Sequence, residues 1–167
     1  QNLHNSYDPA GNITHTQDDA QQTINSSNQR VEPSNDYTYD ALYRLIQASG
    51  REHLGQGGAP APHSYNDAGR SGILSANPVG SFAANDHAAM GRYVERYVYD
   101  AVGNFLQMQH ARTDAIVAGW TRRYSYSEDS LTDPGKFSNR LSSTTVGAQP
   151  DEVYTHDTHG NMLRMPQ

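Results

Sequence analysis

The sequence contains no cysteine and few of the large apolar residues that build a protein core. The absence of cysteine excludes disulfides, thiolate metal ligands and cysteine nucleophiles. Leu, Ile, Val and Phe make up 25 of the 167 residues, about 15%, and chains below roughly 20% often lack a stable core. No apolar run is long enough for a membrane span or the core of a signal peptide. These deficits predict either a partly disordered polar chain or a sheet with a thin core.

Basic residues are also scarce, at 12 against 18 acidic residues, and the formal net charge is −6. Nucleic-acid-binding proteins usually carry a basic stripe, so no nucleic-acid partner is expected. The net charge is nevertheless too small to keep the chain unfolded by repulsion. The 11 tyrosines supply large side chains that favour strands. We therefore expect an all-β protein with a thin core that neighbouring sheet completes.

One phrase, in which a Tyr-x-Tyr pair precedes an aspartate, recurs along the chain. In residues 97–106 it places Tyr97 and Tyr99 on the same face of a strand. Asp100 would accept hydrogen bonds from the backbone ahead of it, and Gly103 would supply the positive φ of a type I turn closed by a bulge. These ten residues predict an antiparallel β-hairpin.

Further copies begin at residues 7, 37 and 154. A degenerate copy at residues 124–126 has an expanded turn before residues 139–141. The predicted structural turn residues are Asp8, Gly11, Asp40, Tyr43, Asp100, Gly103, Asp157 and Gly160. The predicted strand aromatics are Tyr37, Tyr39, Tyr97, Tyr99, Tyr124, Tyr126 and Tyr154. Tyr43 replaces the glycine of the other copies, and we expect a positive φ there whose strain is tolerated by packing. The repeats predict an array of antiparallel hairpins.

Other segments interrupt the array. Residues 54–90 form a Gly/Pro/Ala-rich loop insertion, which is either a plug or contact loop leaving the sheet or a flexible surface insertion. A short helix is possible near residues 83–90. Residues 23–32 could hold a strand at each end around a turn at 25–28. Residues 33–36 are expected to interrupt the β structure before the second copy, and a strand is expected over 139–146.

The four copies resemble the YD-repeat (Rhs-repeat) family. Residues 37–55 and 92–110 look most like the C component of bacterial insecticidal toxin complexes (Tc toxins). The resemblance implies that the array of antiparallel hairpins forms a curved sheet strip. It also implies that residues 1–167 are a single YD-repeat segment, excerpted from a longer shell that encloses a toxic polypeptide cargo. It also implies a secreted or cell-surface-associated bacterial protein whose partners are the remainder of the shell, the cargo and a B-type subunit, without membrane insertion. No acidic cluster matches the family's protease core, so no catalytic residue is carried over.

The remaining candidate sites are weak. The four repeated aspartates occupy one turn position each, so turn capping explains them better than the paired-carboxylate chemistry of glycosidases. His4 and His15 could face each other across the first hairpin, and His156 and His159 lie three apart, but neither pair has zinc-site spacing. We therefore expect no enzymatic activity, metal or cofactor.

The tyrosine rows, together with nearby arginines, leave one functional alternative open. They could stack on sugars, which would make the chain an adhesion module binding surface glycans, either through these rows or through the 54–90 insertion. They could also line the lumen of a shell, or simply cover a half-buried sheet by aromatic and cation–π packing.

Overall fold

The computed structural model describes residues 2–26, 28–53, 89–113 and 119–165. These residues form strands and loops only. The strands are β1 (Leu3–Tyr7), β2 (Ile13–Asp18), β3 (Ile24–Ser26), β4 (Gln29–Val31), β5 (Ser34–Tyr39), β6 (Leu45–His53), β7 (Met90–Tyr99), β8 (Phe105–Arg112), β9 (Trp120–Ser125), β10 (Ser143–Val146), β11 (Glu152–Val153), β12 (Thr155–His156) and β13 (Met162–Arg164). The all-β prediction is confirmed.

Nine strands form one antiparallel sheet in the order β1-β2-β5-β6-β7-β8-β9-β10-β11. Strand β2 pairs directly with β5, because β3 and β4 leave the sheet as a separate small hairpin. Strands β12 and β13 form another two-stranded sheet. In the hairpins β1–β2, β5–β6, β7–β8 and β12–β13, the strand register shifts just before the turn. This shift is the bulge that the positive-φ turn position predicts.

The two faces of the sheet differ in composition. Residues whose rings or charged groups contact one another across strands define the aromatic face: Tyr93, Glu95, Tyr97 and Tyr99 of β7, Phe105 and His110 of β8, and Trp120, Arg122 and Tyr124 of β9. Because successive side chains of a strand point to opposite faces, the residues between these lie on the opposite face.

The apolar core is thin. Among the described residues, the buried hydrophobic side chains are Val31, Ala48, Ala89 and Val146, whereas the buried polar ones are Asp18, Ser34, His110, Arg122 and Thr144. Burial of polar groups is costly unless they are hydrogen-bonded. The sheet therefore depends on its backbone ladder and on polar networks more than an ordinary domain does.

The strand order sorts the connections onto two rims. The turns after β1, β5 and β7, the loop after β9 and the turn after β12 lie on one rim, which we call the turn rim. The C-terminal ends of β2, β6, β8 and β10 lie on the opposite rim. The turn rim therefore collects the four repeated aspartates.

Some local predictions were wrong. Residues 33–36 do not interrupt the β structure, because β5 starts at Ser34 and the carbonyl of Pro33 accepts a hydrogen bond from the amide of Asp18 at 3.0 Å. The strand expected over 139–146 begins only at Ser143, since the preceding residues form an extended loop. Two short strands flank the turn predicted near residues 25–28, as expected.

Most of the predicted 54–90 insertion lies outside the described residues. So do most of the possible helix at 83–90 and a short strand expected at 116–117. At the far end of the insertion, β7 begins at Met90, two residues earlier than the sequence indicated.

Candidate functional site

Each repeat turn is organised by the carboxylate of its aspartate. In the first copy, one oxygen of Asp8 accepts hydrogen bonds from the amides of Ala10 and Asn12, both at 2.9 Å. The other oxygen accepts one from the side-chain amide of Asn12 at 2.8 Å. Asp100 and Asp157 repeat this arrangement with bonds of 2.8–2.9 Å. In the second copy Arg44 replaces the asparagine, and its Nε donates to Asp40 at 2.7 Å.

These hydrogen bonds set the charge state of the four aspartates. The bonds from Asn12 lower the pKa of Asp8, those from Asn161 lower that of Asp157, and the backbone amide of Arg44 lowers that of Asp40. At Asp100, desolvation raises the pKa, but the hydrogen bonds from Asn104 and the turn backbone outweigh it. A carboxylate that accepts three hydrogen bonds is a weakened base. The geometry therefore suits these groups to holding a turn rather than abstracting a proton.

The fourth position of every turn has a positive φ. The values are 92° at Gly11, 100° at Gly103, 87° at Gly160 and 60° at Tyr43. The expected conformation of Tyr43 is therefore present, but the expected packing is not, because its surface is 63% exposed. Its amide instead donates to the carbonyl of Asp40 at 3.0 Å. Backbone hydrogen bonding, rather than burial, holds Tyr43 in this conformation.

Successive repeats are joined through the second tyrosine of the phrase. The hydroxyl of Tyr39 donates to the carbonyl of Ile13 at 3.0 Å, and that of Tyr99 donates to the carbonyl of Leu45 at 2.8 Å. Ile13 and Leu45 hold the same position, one residue after the polar residue that closes each turn. The same bond therefore joins copy one to copy two and copy two to copy three.

Arginines make a second kind of link along the turn rim. Arg44 donates to the carbonyl of Asp100 in the next repeat at 3.0 Å, and its guanidinium lies 5.0 Å from the ring centroid of Tyr99. Arg140, after the expanded loop, reaches the carbonyl of Asp157 in the same way at 3.5 Å. Both arginines precede a leucine, and this recurring Arg-Leu pair is the sequence signal for a link that the repeat phrase alone did not reveal.

A buried histidine joins the middle strands of the aromatic face. His110 Nε2 lies 3.3 Å from a carboxylate oxygen of Glu52, and Nδ1 lies 3.1 Å from one of Glu95. The imidazole is stacked between Tyr93 and Trp120, with ring centroids 5.2 Å and 5.4 Å away. Burial lowers the pKa of His110, but the hydrogen bonds that its ring N–H groups donate to the two glutamates outweigh this effect and raise the pKa to about 9. The group is a buried imidazolium held by two carboxylates.

Tyrosine and arginine extend this polar network. Burial and a 2.6 Å hydrogen bond to Glu95 raise the pKa of Tyr97, so its hydroxyl remains a donor. Further along the sheet, Glu152 accepts from buried Arg122 at 3.2 Å and from Thr144 at 2.6 Å. Buried charges on this part of the sheet are thus paired with opposite charges on neighbouring strands.

The structure distributes the strand aromatics over three strands and two positions outside strands. Tyr37 and Tyr39 lie on β5, Tyr97 and Tyr99 on β7, and Tyr124 on β9. Tyr126 follows β9 and Tyr154 separates β11 from β12, so neither lies within a strand as expected. Rings of Tyr97, Tyr99 and Tyr124 surround Phe105 at centroid distances of 4.8–6.1 Å. These tyrosines form part of one packed row rather than separate sites.

The histidine pairs considered from the sequence do not converge. His4 pairs in register with Gln17 and His15 with Ser6, so the two do not face each other. His4 and His15 lie beside separate aspartates, and His156 lies 3.5 Å from Glu128. Across the described ranges, no cluster of three His, Asp or Glu residues has the geometry of a metal site. The same ranges contain no helix long and apolar enough to cross a membrane.

Comparison with known proteins identifies relatives of the chain. It is 33% identical over 153 residues to toxin subunit YenC1 of Yersinia entomophaga, covering 92% of this chain and 13% of YenC1. It is 35% identical over 111 residues to toxin subunit YenC2 of the same organism, covering 66% of this chain and 10% of YenC2. No protein-family model matches the chain.

Solved structures show the same fold. The crystal structure of TcdB2-TccC3 without its hypervariable C-terminal region matches 96% of this chain with a TM-score of 0.55 and 26% identity. The Tc holotoxin pore of Photorhabdus luminescens matches the same share with a TM-score of 0.53 and 26% identity. In both cases the match covers 7% of the longer chain. The chain therefore belongs to the YD-repeat (Rhs-repeat) family, as a relative of the C components of bacterial toxin complexes.

Proposed function

We propose that the chain is a non-catalytic wall segment of a YD-repeat shell that encloses a toxic polypeptide within a secreted toxin complex. In this proposal, residues 1–167 form a single repeat segment, and residues 54–90 are an insertion within it. The partners are the remaining repeats, the enclosed polypeptide and a B-type subunit. The B-type subunit is suggested by the matching crystal structure, in which TccC3 is joined with TcdB2.

The observation that carries the proposal is the linkage of successive repeats along the turn rim. The polar groups of each turn form hydrogen bonds either within that turn or with a neighbouring repeat. The bonds of Asp40, Arg44 and Tyr99 illustrate both kinds. A regular wall needs this arrangement, because it must continue from repeat to repeat without local gaps. An enzyme instead needs functional groups that converge on a substrate.

Two features favour the wall over the adhesion module. The hydroxyls of Tyr39 and Tyr99 are engaged by backbone carbonyls, and the rings of Tyr97 and Tyr99 pack against Phe105. Aromatic rings that bind sugars must present a free face to the ligand. The tyrosine rows of this sheet are therefore better suited to joining repeats.

A chimera tests the wall function. This chain would replace the matching 153 residues of YenC1, and the protection of the C-terminal polypeptide from trypsin would be measured. We expect the chimera to protect it as well as YenC1 does. A folded chimera that exposes the polypeptide, while the parent protects it, would exclude the proposed role for this chain. A specific signal for the isolated chain on a glycan array would instead support adhesion.

A further inference from the structure

The face of the sheet opposite the aromatic face carries an unusual group of arginines. Arg51 alternates with Glu52 on β6, Arg92 and Arg96 alternate with Tyr93 and Glu95 on β7, and Arg123 alternates with Arg122 and Tyr124 on β9. Since their strand neighbours lie on the aromatic face, these four arginines lie together on the other one. We call this surface, defined by Arg51, Arg92, Arg96 and Arg123, the arginine face.

The arginines of this face differ from four other arginines in having no acidic partner among the described residues. Arg30, Arg44, Arg122 and Arg140 each form an ion pair with an aspartate or glutamate. Arg51, Arg92, Arg96 and Arg123 form none with any residue of the described ranges; Arg51 donates to the carbonyl of Gln22 instead. These four guanidinium groups thus concentrate positive charge on a face that also carries Asp36, in a chain whose net charge is −6.

The strand register concentrates this charge. Arg51 is directly opposite Arg92 across β6 and β7, and like charges in directly opposite positions destabilise a sheet. The cross-strand neighbours of Arg96 are Gln47 and Gln109, and those of Arg123 are Gln107 and Thr145. The neighbours are therefore uncharged and do not neutralise the guanidinium groups. An arrangement that opposes local stability is expected where a ligand supplies the missing charge.

We propose that the arginine face binds an extended, carboxylate-rich polypeptide segment. Guanidinium groups pair with carboxylates through two parallel hydrogen bonds. Amide and hydroxyl side chains between the arginines can hydrogen-bond to the backbone of such a segment. Nucleic acid is less suitable, because single-stranded bases stack on aromatic rings and the rings described above lie on the aromatic face. The proposal does not depend on the chain forming a shell.

The test measures binding of a fluorescein-labelled ten-residue polyglutamate peptide to the full 167-residue chain by fluorescence anisotropy. The test variant combines Arg92→Gln, Arg96→Gln and Arg123→Gln. The matched control combines Arg30→Gln, Lys136→Gln and Arg164→Gln, which are exposed cations outside the arginine face. Both variants lose three positive charges, so they have the same net charge and differ only in where the charge is removed.

We expect the test variant to bind polyglutamate at least tenfold more weakly and the control to stay within twofold of the parent. Affinity of the parent should also fall as salt increases. Circular dichroism and urea titration establish that both variants fold. Equal weakening in the two variants would show a general charge effect and overturn the proposal, as would absence of binding by the parent. Tighter binding of a thymidine oligonucleotide than of polyglutamate, lost in the test variant, would assign the face to nucleic acid instead.

Discussion

Replacing Gly103 with valine isolates the backbone requirement of the repeat turn. Gly103 has a φ of 100°, and a Cβ atom added there would meet no atom within 4 Å. Any loss of stability would therefore come from the backbone conformation and not from a collision. An L-residue at positive φ costs about 1–2 kcal/mol, and a β-branched residue is especially poor there. Valine also lowers the conformational entropy of the unfolded chain relative to glycine, which offsets about 0.4–1 kcal/mol of this cost.

The expected net effect of Gly103→Val is a loss of about 1 kcal/mol in the free energy of unfolding. A change of this size should lower Tm by about 2–4 °C in a chain of this length. Urea titration at constant pH measures the free energy, and thermal circular dichroism measures Tm. Gly147 also has a positive φ, of 58°, and a Cβ atom added there would also meet nothing within 4 Å. Gly147→Val therefore measures the same backbone cost at a position outside the four repeat turns.

The reverse substitution, Tyr43→Gly, should act in the opposite direction. It relieves about 1–2 kcal/mol of strain and adds about 0.4–1 kcal/mol of unfolded-state entropy. Little aromatic burial is lost, because Tyr43 is 63% exposed. We expect a small gain in stability. A Gly103→Val variant as stable as the parent, or a Tyr43→Gly variant destabilised by more than about 1 kcal/mol, would refute the role assigned to positive φ.

Three further predictions concern the polar network. Asp100→Ala removes an acceptor of three hydrogen bonds and should lower the free energy of unfolding, measured as a lower urea midpoint, with no change in hydrolase or protease assays. An activity lost with this residue while the fold persists would contradict its structural role. Tyr99→Phe should cost about 1 kcal/mol, because it removes only the hydrogen bond to Leu45, and an unchanged midpoint would argue against that link. The pKa of His110 is raised to about 9 in the folded chain, above the unfolded value, so its stabilisation is present below about pH 6.5 and is lost as pH rises through 9. His110→Gln should remove this part of the pH dependence of stability, and an identical pH profile in the variant would refute it.

The sequence was sufficient to predict the elements that are specified locally. The repeated turns depend on residues within four positions of each aspartate, so Asp100, Gly103 and Asn104 are readable together in the sequence. Alternation of side chains then predicts the flanking strands. The all-β fold follows from repetition of these local signals.

Features that depend on distant residues were not predictable. His110 and Glu52 are separated by 58 positions, and no local pattern marks them as partners. The first three residues of β5, 34–36, were missed because their pairing with β2 overrides the turn preference of this segment. Tyr43 was expected to be packed because aromatic residues usually are, whereas its place at a turn leaves the ring exposed.

The links along the turn rim have a consequence for how such sequences change in evolution. Each link, such as that from Arg44 to Asp100 or from Tyr99 to Leu45, uses groups of only two successive turns. Duplication or deletion of a whole hairpin would therefore recreate the same junction between the repeats that become neighbours. Within the described residues, the opposite rim has no corresponding repeated motif, and the connection after β2 there already contains an extra hairpin. Inserted segments should accordingly accumulate on that rim, while the number of repeats changes in units of two strands.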